Sequence, residues 1–468
     1  MLILRDYQQK CVDGLIQKYS TKHKAPLLVV PTGGGKTVIF SNIAHRSVTK
    51  KNKVWILVHR VELLRQTSEA LTTNGVEHGL VNPQYTPAYY KDVQVASVQS
   101  IVKRLHHLDA PNLIIIDEAH HATATTWRKI IEAYPNAKIL GVTATPCRSD
   151  GKGLGTAAGG VFDSIVIGPQ VSELIAAKFL VEPVVYGAKQ AIDLSGVGTV
   201  AGDYNTKQVE ERVDKPRITG DAVEHYKKVC PGVPTVVFCV TVKHAEHVAE
   251  QFTAAGFRAF SVDGTMDDDT RKKLINGLAD GTVDIITSCN IISEGTDVPK
   301  IGAAILLRPT QSLGLYLQQV GRALRPSEGK QFAVILDHVG NYERFGLPTD
   351  DREWSLDGEV KKKGKKAKQD AALKTSQCLK CYGIYKTPAP ACPHCGHVAS
   401  KKERGELEVI EGELKPITAA DLANLRKRQE VAKARTLAEL REVAKRRGYK
   451  STWADHIWRA RQAKESGI

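Results

Sequence analysis

Residues 27–44 read LLVVPTGGGKTVIFSNIA, an apolar run followed by a glycine-rich segment and a stretch of helical length. This order predicts a strand, a tight turn and a helix that covers residues 38–44. Consecutive glycines let backbone N–H groups approach phosphate oxygens, and the helix N-terminus adds its positive dipole end. We expect Lys36 to neutralise the β and γ phosphates of a nucleotide and the Thr37 hydroxyl to bind Mg²⁺. The predicted nucleotide-binding residues of this loop are Thr32, Gly33, Gly34, Gly35, Lys36 and Thr37.

One position departs from the strict phosphate-loop pattern. GxxxxGK[ST] requires glycine at position 30, where this chain has Val30. Taken alone, the segment is also compatible with a glycine-rich turn that precedes a helix and binds nothing.

A second signal argues against that simpler interpretation. The apolar run at residues 113–116 ends in Asp117-Glu118-Ala119-His120. Two adjacent carboxylates after a buried strand are costly unless something binds them, and the carboxyl ends of parallel strands are where such sheets bind ligands. We expect Asp117 to hold the water shell of Mg²⁺ and Glu118 to orient and deprotonate an attacking water.

Short apolar runs alternate with segments of helical length over most of the chain. The first series of candidate strands is 27–30, 54–58, 93–96, 113–116 and 139–142, and the second is 236–240, 257–260, 284–287, 303–307 and 332–336. This alternation predicts an α/β fold with two parallel-sheet domains in tandem. The expected divisions are 1–185 and 186–355 for the two domains, 356–375 for a basic linker, 376–400 for a four-cysteine module and 415–468 for a basic helical tail. We also expect a loop at 187–203.

The second domain carries a candidate partner for the phosphate loop. The segment 316–325 reads YLQQVGRALR and places Arg322 and Arg325 three residues apart, on one side of a predicted helix. An arginine supplied from another element can stabilise the charge that develops during phosphoryl transfer. Two helical arginines alone are also compatible with ordinary surface charge.

Taken in order, these segments resemble the motifs of superfamily 2 helicases of the DEAH-box sort. The similar segments are 4–9, 31–37, 59–66, 97–100, 117–120, 143–146, 293–299 and 318–325. The resemblance implies two RecA-like domains that hold ATP in the cleft between them, with a nucleic-acid strand lying across both. It further implies that Arg5 and Gln8 contact adenine, that His120 and Gln318 link the two domains through the nucleotide, and that Arg322 and Arg325 act as the finger pair. The expected catalytic set is therefore Lys36, Asp117, Glu118, His120, Gln318, Arg322 and Arg325.

Four cysteines form two CxxC pairs separated by ten residues. They are Cys378, Cys381, Cys392 and Cys395. Four thiolates at this spacing predict a closed structural Zn²⁺ site in a small zinc-ribbon-like module. Two alternatives stay open, namely four unrelated free thiols and the replacement of one thiol by His394 or His397.

The positive charge of the chain is concentrated near its C-terminal end. The net charge is +15, and residues 361–468 carry 26 basic against 12 acidic side chains. Thr436 is expected to cap a helix whose apolar stripe is Leu437, Leu440, Val443 and Ala444, and a second stripe follows at Trp453, Ile457 and Ala460. The basic face of this hairpin is either a solvated surface or a site for the phosphate backbone of nucleic acid. The combined architecture is similar to the bacterial DNA-repair helicases called RadD and to related phage helicases.

Composition limits the remaining possibilities. No run approaches the roughly 20 apolar residues of a membrane span, and the N-terminal residues do not form a signal peptide. We therefore expect no membrane partner and a cytoplasmic location in a bacterial or phage-infected cell. The expected function is an ATP-dependent DNA helicase or translocase that uses ATP and Mg²⁺ and acts in repair, recombination or replication, with DNA favoured over RNA. The alternatives are an ATPase motor subunit of a restriction system, an RNA helicase, and a nucleic-acid-binding module whose ATPase half is only a switch.

Overall fold

In the computed structural model, the described residues are 3–148, 151–187, 194, 196–200, 202–214, 216–289, 298–358, 375–378, 380–387, 389–398, 434, 436–449 and 452–466. The chain divides into two compact units, residues 1–399 and 400–468. Three expectations fall wholly or largely outside the described residues: the motif at 293–299, the basic linker and the first part of the basic tail.

The first unit begins with a parallel sheet of seven strands. They are β1 (Pro26–Val29), β2 (Val54–Val58), β3 (Gly79–Val81), β4 (Val93–Ser97), β5 (Leu113–Asp117), β6 (Lys138–Thr143) and β7 (Ser164–Ile167). Their order in the sheet is β3-β4-β2-β5-β6-β1-β7. The helices of this domain are α1 (Asp6–Ser20), α2 (Lys36–Val48), α3 (Val61–Thr73), α4 (Val98–Ile101), α5 (Thr125–Ala133) and α6 (Val171–Ala176).

Continuous apolar runs form these strands because helices cover both faces of the sheet. In β1, Leu28 packs into the core on one face, and Leu27 and Val29 pack into the core on the other. The expected strands of the first series are all present, and β6 lies between β1 and β5. The phosphate loop after β1 and the carboxylates after β5 therefore meet over the end of β6.

The second sheet has eight strands in the order β12-β13-β11-β14-β15-β8-β17-β16. Its parallel strands are β8 (Glu182–Gly187), β11 (Thr235–Phe238), β12 (Ala259–Val262), β13 (Ile285–Ser288), β14 (Ala303–Leu306) and β15 (Phe332–Asp337). A separate antiparallel pair, β9 (Thr199–Val200) and β10 (Asp203–Tyr204), lies in the expected loop. The helices are α7 (Thr206–Val213), α8 (Pro216–Val229), α9 (Val242–Ala254), α10 (Asp268–Asp280), α11 (Leu313–Ala323) and α12 (Asn341–Phe345).

Both domains are α/β domains built on parallel strands, as the alternation of apolar runs predicted, and they fit the RecA-like type that the resemblance implied. The strand expected at 257–260 is displaced along the chain: it is β12, which begins two residues later. Gly256 has φ +92°, and the Phe257 N–H donates to the Phe252 carbonyl at 3.1 Å. Phe257 therefore belongs to the turn that ends α9, and its ring packs on Tyr226 with centroids 5.0 Å apart.

The cysteine-containing segment continues the second sheet. Strands β16 (Thr375–Gln377) and β17 (Gly383–Lys386) form an antiparallel pair, and β17 pairs antiparallel with β8. In this pairing Gly383 lies opposite Tyr186 and Ile384 opposite Val185. Hydrogen bonds of the sheet thus fix the cysteine module to the second domain.

The second unit contains two described helices, α13 (Leu437–Arg447) and α14 (Trp453–Ser466). The Thr436 hydroxyl caps α13 by accepting the Glu439 N–H at 3.2 Å, as the sequence predicted. Leu440, Val443 and Ala454 are buried between the helices. Within the described residues, no helix has both the length and the apolar run that a membrane crossing needs.

Candidate active site

The phosphate loop lies between β1 and α2. Gly35 precedes α2 in the left-handed conformation, with φ +78°. The backbone shape therefore requires glycine here, and a Cβ atom would also lie 2.5 Å from the Gln8 Nε2 and displace that amide. The Thr32 hydroxyl is buried and has no hydrogen-bond partner among the described residues. An unpaired buried hydroxyl beside backbone N–H groups fits a loop that binds a phosphate.

The packing of Val30 shows how this loop accommodates its departure from the strict pattern. Its side chain is fully buried, and its Cγ1 lies 2.6 Å from the position that a Cβ atom of Gly34 would occupy. The branched side chain therefore uses the space that Gly34 leaves open. The loop keeps its shape because the large residue at position 30 is matched by the absent side chain at position 34.

The acidic pair lies at the end of β5. Asp117 and Glu118 are 6% and 7% exposed, and the Asp117 Oδ1 accepts the Glu118 N–H at 2.9 Å. Glu118 has φ +47°, a left-handed conformation that is rare for a residue with a side chain. Such strain persists where surrounding contacts impose it, and it clusters at active sites.

Side chains from three directions surround the Glu118 carboxylate. The Lys36 Nζ lies 3.9 Å from Oε1, and the Gln318 Nε2 donates to Oε2 at 3.2 Å. The His120 Nδ1 lies 3.4 Å from Oε2 and 3.3 Å from the Thr143 hydroxyl. Because Thr143 ends β6 and Gln318 belongs to the second domain, Glu118 is the point where the phosphate loop, the first sheet and the second domain meet.

Helix α11 packs directly against the phosphate loop. A Cβ atom at Gly321 would lie 2.6 Å from the Thr32 Cβ, and one at Gly33 would lie 3.7 Å from the Arg325 Cγ. Arg322 is 6% exposed and lies one helical turn beyond Gln318. The structure thus brings Gln318 and Arg325 to the loop and buries Arg322 in the same helix.

The arginine pair differs from expectation in one respect. Helix α11 ends at Ala323, so Arg325 follows the helix and does not share a helical face with Arg322. Pro326 is the physical reason, because a proline disfavours helical conformation in the residue before it. Arg325 is placed by its contact with the loop and not by helical spacing.

The first turn of α1 and Arg5, which precedes it, lie beside the phosphate loop. The Gln8 Oε1 accepts the Arg5 N–H at 3.0 Å, and the Tyr7 hydroxyl donates to the Gly34 carbonyl at 3.0 Å. The Arg5 guanidinium lies over the Phe179 ring, 4.0 Å from its centroid. Tyr7 and Phe179 were missed in the sequence, since no local pattern links residue 179 to residue 5.

The four cysteines come together at the end of the second sheet. Their sulfur atoms lie within 4.8 Å of one another, with 3.6 Å between the sulfurs of Cys378 and Cys395 and 3.7 Å between those of Cys381 and Cys392. A tetrahedral zinc site with Zn–S bonds of 2.3 Å needs sulfurs about 3.8 Å apart. The two shortest separations match this value, and the four thiols together form a set that fits a zinc ion.

Electrostatics agree with that fit. Burial opposes ionisation of Cys378, but the backbone N–H groups of Cys381 and Lys380 and the neighbouring thiols bring its pKa down to about 6. Burial and the neighbouring thiols raise the pKa of Cys381 to about 12. Each thiolate makes the next one harder to form, and a bound cation would offset that repulsion. The His394 Nε2 donates a hydrogen bond to the Ile384 carbonyl at 3.1 Å.

Comparisons with known proteins agree with this geometry. A family model described as "Type III restriction enzyme, res subunit" matches residues 1–148, and one described as "Helicase conserved C-terminal domain" matches residues 221–327. A "51.5 kDa protein" of Lactococcus phage (isolate 7-9) is 34% identical over 418 residues, which are 86% of this chain and 87% of that protein.

Two further similarities cover less of the other protein. "Putative ATP-dependent helicase IRC3" of Saccharomyces cerevisiae is 32% identical over 368 residues, 72% of this chain but 52% of that protein. The fragment structure of "a putative HsdR subunit of a type I restriction enzyme" from Vibrio vulnificus YJ016 has a TM-score of 0.60 at 21% identity, covering 77% of this chain and 68% of that one. This last likeness shows the fold alone. The two family models and the 34% identity over 86% of the chain show that it belongs to the superfamily 2 helicases, and it is an ATP-hydrolysing enzyme of that group.

Proposed function

We propose that this enzyme is a DNA translocase or helicase that couples ATP hydrolysis to changes in the position of its two domains. The observation that carries the proposal is the 3.2 Å hydrogen bond from Gln318 of the second domain to Glu118 of the first. A nucleotide site that needs residues from both domains can hydrolyse ATP only when they close. Closure and opening then become steps of one cycle.

Each residue of the proposed site has a distinct task. Lys36 and the backbone of the loop hold the phosphates, and Thr37 and Asp117 would hold Mg²⁺, which would neutralise part of the phosphate charge. Glu118 orients the attacking water and accepts its proton. Arg322 and Arg325 stabilise the charge that develops on the transferred phosphoryl group. The adenine-contacting residues in this proposal are Arg5 and Gln8.

The strand-binding surface is proposed to include the segment 59–66, which follows β2. Two ion pairs join this region to α10 of the second domain: Arg65 with Asp268 at 3.0 Å, and Glu62 with Arg271 at 3.0 Å. A nucleic-acid strand bound at this segment would therefore contact side chains whose ion-pair partners lie on the second domain. This arrangement supports coupling between strand binding and domain closure.

DNA is the favoured substrate, and a role in repair, recombination or replication is part of the proposal. Support comes from the similarity of residues 1–148 to the family described as a restriction-enzyme subunit. The same description favours the second candidate function, the motor subunit of a restriction system. Copurification of a nuclease or methyltransferase with the protein would favour that candidate. The cytoplasmic location stays a prediction.

Steady-state ATP hydrolysis tests the proposed function. The purified full chain is assayed without nucleic acid and with single-stranded DNA, duplex DNA, branched DNA or RNA. Stimulation by DNA, absent from Lys36→Ala, is the expected result. Stimulation by RNA alone would move the enzyme to RNA remodelling. Equal rates under all conditions would contradict a nucleic-acid-driven motor.

We also propose that the four-cysteine cluster holds a structural Zn²⁺ ion. The closed set of four thiolates leaves no position for a substrate, so the metal would act on stability and not on catalysis. Since β17 pairs with β8, the ion would stabilise the last strands of the second sheet.

Loss of one ligand is expected to remove this metal. Metal analysis of the purified chain should give about one zinc per chain, and Cys381→Ser should lower this to near zero because three protein ligands hold zinc less tightly than four. Thermal unfolding of the variant should begin at a lower temperature. Cys289→Ser is the matched control: this thiol lies outside the cluster and donates to the Val240 carbonyl at 3.0 Å. Equal zinc content in both variants would refute the site.

A further inference from the structure

A cavity of about 510 Å³ lies at one edge of the second sheet, between α8 and the cysteine-containing segment. Among the described residues that line it, none belongs to the phosphate loop or to α11. Gly187 ends β8 and Asp337 ends β15, so the cavity opens at the carboxyl ends of two neighbouring parallel strands. Open α/β sheets bind their ligands at this edge. The volume is that of a small-molecule site.

The accessible charge of the cavity is positive. Lys228 and Lys380 line it and are exposed. The one carboxylate in the lining, Asp337, is 1% exposed and accepts the N–H groups of Val339 at 3.1 Å and Tyr342 at 2.7 Å. Because backbone donors already satisfy that carboxylate, the lysines determine which ligand charge is favoured. The cavity therefore favours a ligand that carries an anionic group.

An aromatic ring is held beside these lysines by a strained backbone. Tyr382 has φ +61° and is 40% exposed. Its N–H donates to the Cys378 carbonyl at 2.9 Å, and its carbonyl accepts from the Gln377 side chain at 3.2 Å. The Lys228 Nζ lies 5.6 Å from the ring centroid. Left-handed tyrosine is unfavourable unless surrounding contacts impose it, and such positions are often functional.

The inner wall offers neutral hydrogen-bonding groups. The rings of His225 and His338 lie 5.1 Å apart. Burial and the neighbouring His225 lower the pKa of His338 to about 3, so this imidazole is neutral and presents one donor and one acceptor. Gln377 adds its amide oxygen to the lining, since its Nε2 already donates to the Gly187 and Tyr382 carbonyls. Neutral donors and acceptors of this kind suit the edge of a nucleobase.

We propose that this cavity binds a nucleotide, with its base against the Tyr382 ring and its phosphate beside Lys228 and Lys380. Aromatic rings flanked by cations are the usual means by which proteins hold single nucleotides of a strand. Two sources carry this chemistry: one nucleotide of a bound single strand, which rests on the proposed function, and a free mononucleotide. A duplex is too wide for a cavity of this volume.

Photo-cross-linking tests the site in the full chain. The probes are a single-stranded oligonucleotide that carries 5-iododeoxyuridine and, separately, 5-iododeoxyuridine monophosphate. We expect a cross-link in the peptide that contains Tyr382, and its loss in Tyr382→Gly, which keeps a left-handed backbone accessible. A cross-link from the oligonucleotide alone identifies the strand as the source, and one from the monophosphate identifies free nucleotide. Zinc content of each variant reports that the neighbouring module is intact.

Binding measurements provide the second readout. In the strand case, Tyr382→Gly is expected to weaken oligonucleotide binding about tenfold, and Lys228→Ala to reduce the slope of log affinity against log salt by about 0.7. In the free-nucleotide case, both variants weaken monophosphate binding. Lys227→Ala is the matched control, because this neighbouring lysine pairs with Glu224 at 3.0 Å outside the cavity.

Two failures are distinguishable. Cross-links that avoid the Tyr382 peptide, with both probes bound by Tyr382→Gly and Lys228→Ala as by the unaltered protein, would overturn the nucleotide site while leaving the motor intact. Absence of DNA-stimulated ATP hydrolysis in the unaltered protein would instead defeat the proposed function, whatever the cross-linking result.

Discussion

Replacing Arg322 with lysine is expected to slow nucleic-acid-stimulated ATP hydrolysis by about 10³-fold or more. Arg322 is 6% exposed in α11, one turn from the glutamine that donates to Glu118. Lysine keeps the positive charge but lacks the planar fork of donors that matches phosphoryl oxygens. ATP binding should change little, because Lys36 and the loop backbone supply the ground-state contacts. Turnover at saturating ATP and the affinity for a fluorescent ATP analogue measure the two effects separately.

A matched control separates catalysis from general damage to the second domain. Arg258→Lys changes the same side chain on the same domain, at a pair with Asp284 that lies beside β12. This variant should hydrolyse ATP at the unaltered rate. An Arg322→Lys enzyme with near-normal turnover would show that the transition state does not depend on this guanidinium.

Much of the active site was predictable because its chemistry is encoded in short contiguous segments. The phosphate loop, the acidic pair and the 318–325 segment each follow an apolar run or lie in a predicted helix, and the ends of parallel strands share one edge of a sheet. Knowing that β1 and β5 are parallel strands of one sheet is sufficient to expect Lys36 near Glu118. The order of the strands, with β6 between them, adds Thr143 to the same site.

The parts of the fold and of the candidate site that were not predicted depend on contacts between residues far apart in the chain. Phe179 lies under Arg5 only because the segment after α6 returns to the N-terminal helix, and no spacing within either segment encodes that contact. The pairing of β17 with β8 joins residues nearly 200 positions apart. The sequence indicated a four-thiol site but not that its strands would complete the second sheet and enclose a cavity. Local patterns predict elements, and they do not predict which distant edges pair.

The ion pairs between α3 and α10 illustrate the same limit and suggest how the motor is held closed. Arg271 is 7% exposed and contacts both Glu62 of the first domain and Asp268 of its own helix. Both domains therefore meet at the phosphate loop and again at the proposed strand-binding segment. A ligand at either place acts on the same closed arrangement, which is the physical basis of coupling between two sites.

Replacing Glu118 with glutamine is expected to reduce ATP hydrolysis by about 10²- to 10⁴-fold, because a general base contributes about that much. Glutamine is nearly isosteric, and its amide oxygen can still accept the Gln318 N–H that now lies 3.2 Å from the carboxylate. The lost function is proton acceptance, so ATP should still bind. Single-turnover hydrolysis and equilibrium ATP binding are the measurements.

The consequence for the domains follows from the same geometry. If hydrolysis resets the closed arrangement, Glu118→Gln with ATP should remain closed and hold single-stranded DNA more tightly than the unaltered enzyme does. Glu77→Gln is the control, since this exposed carboxylate pairs with Lys91 on the surface of the first domain. DNA affinity that is the same with and without ATP in Glu118→Gln would show that the nucleotide state and the grip on the strand are independent, and the proposed motor cycle would fail even if hydrolysis were lost.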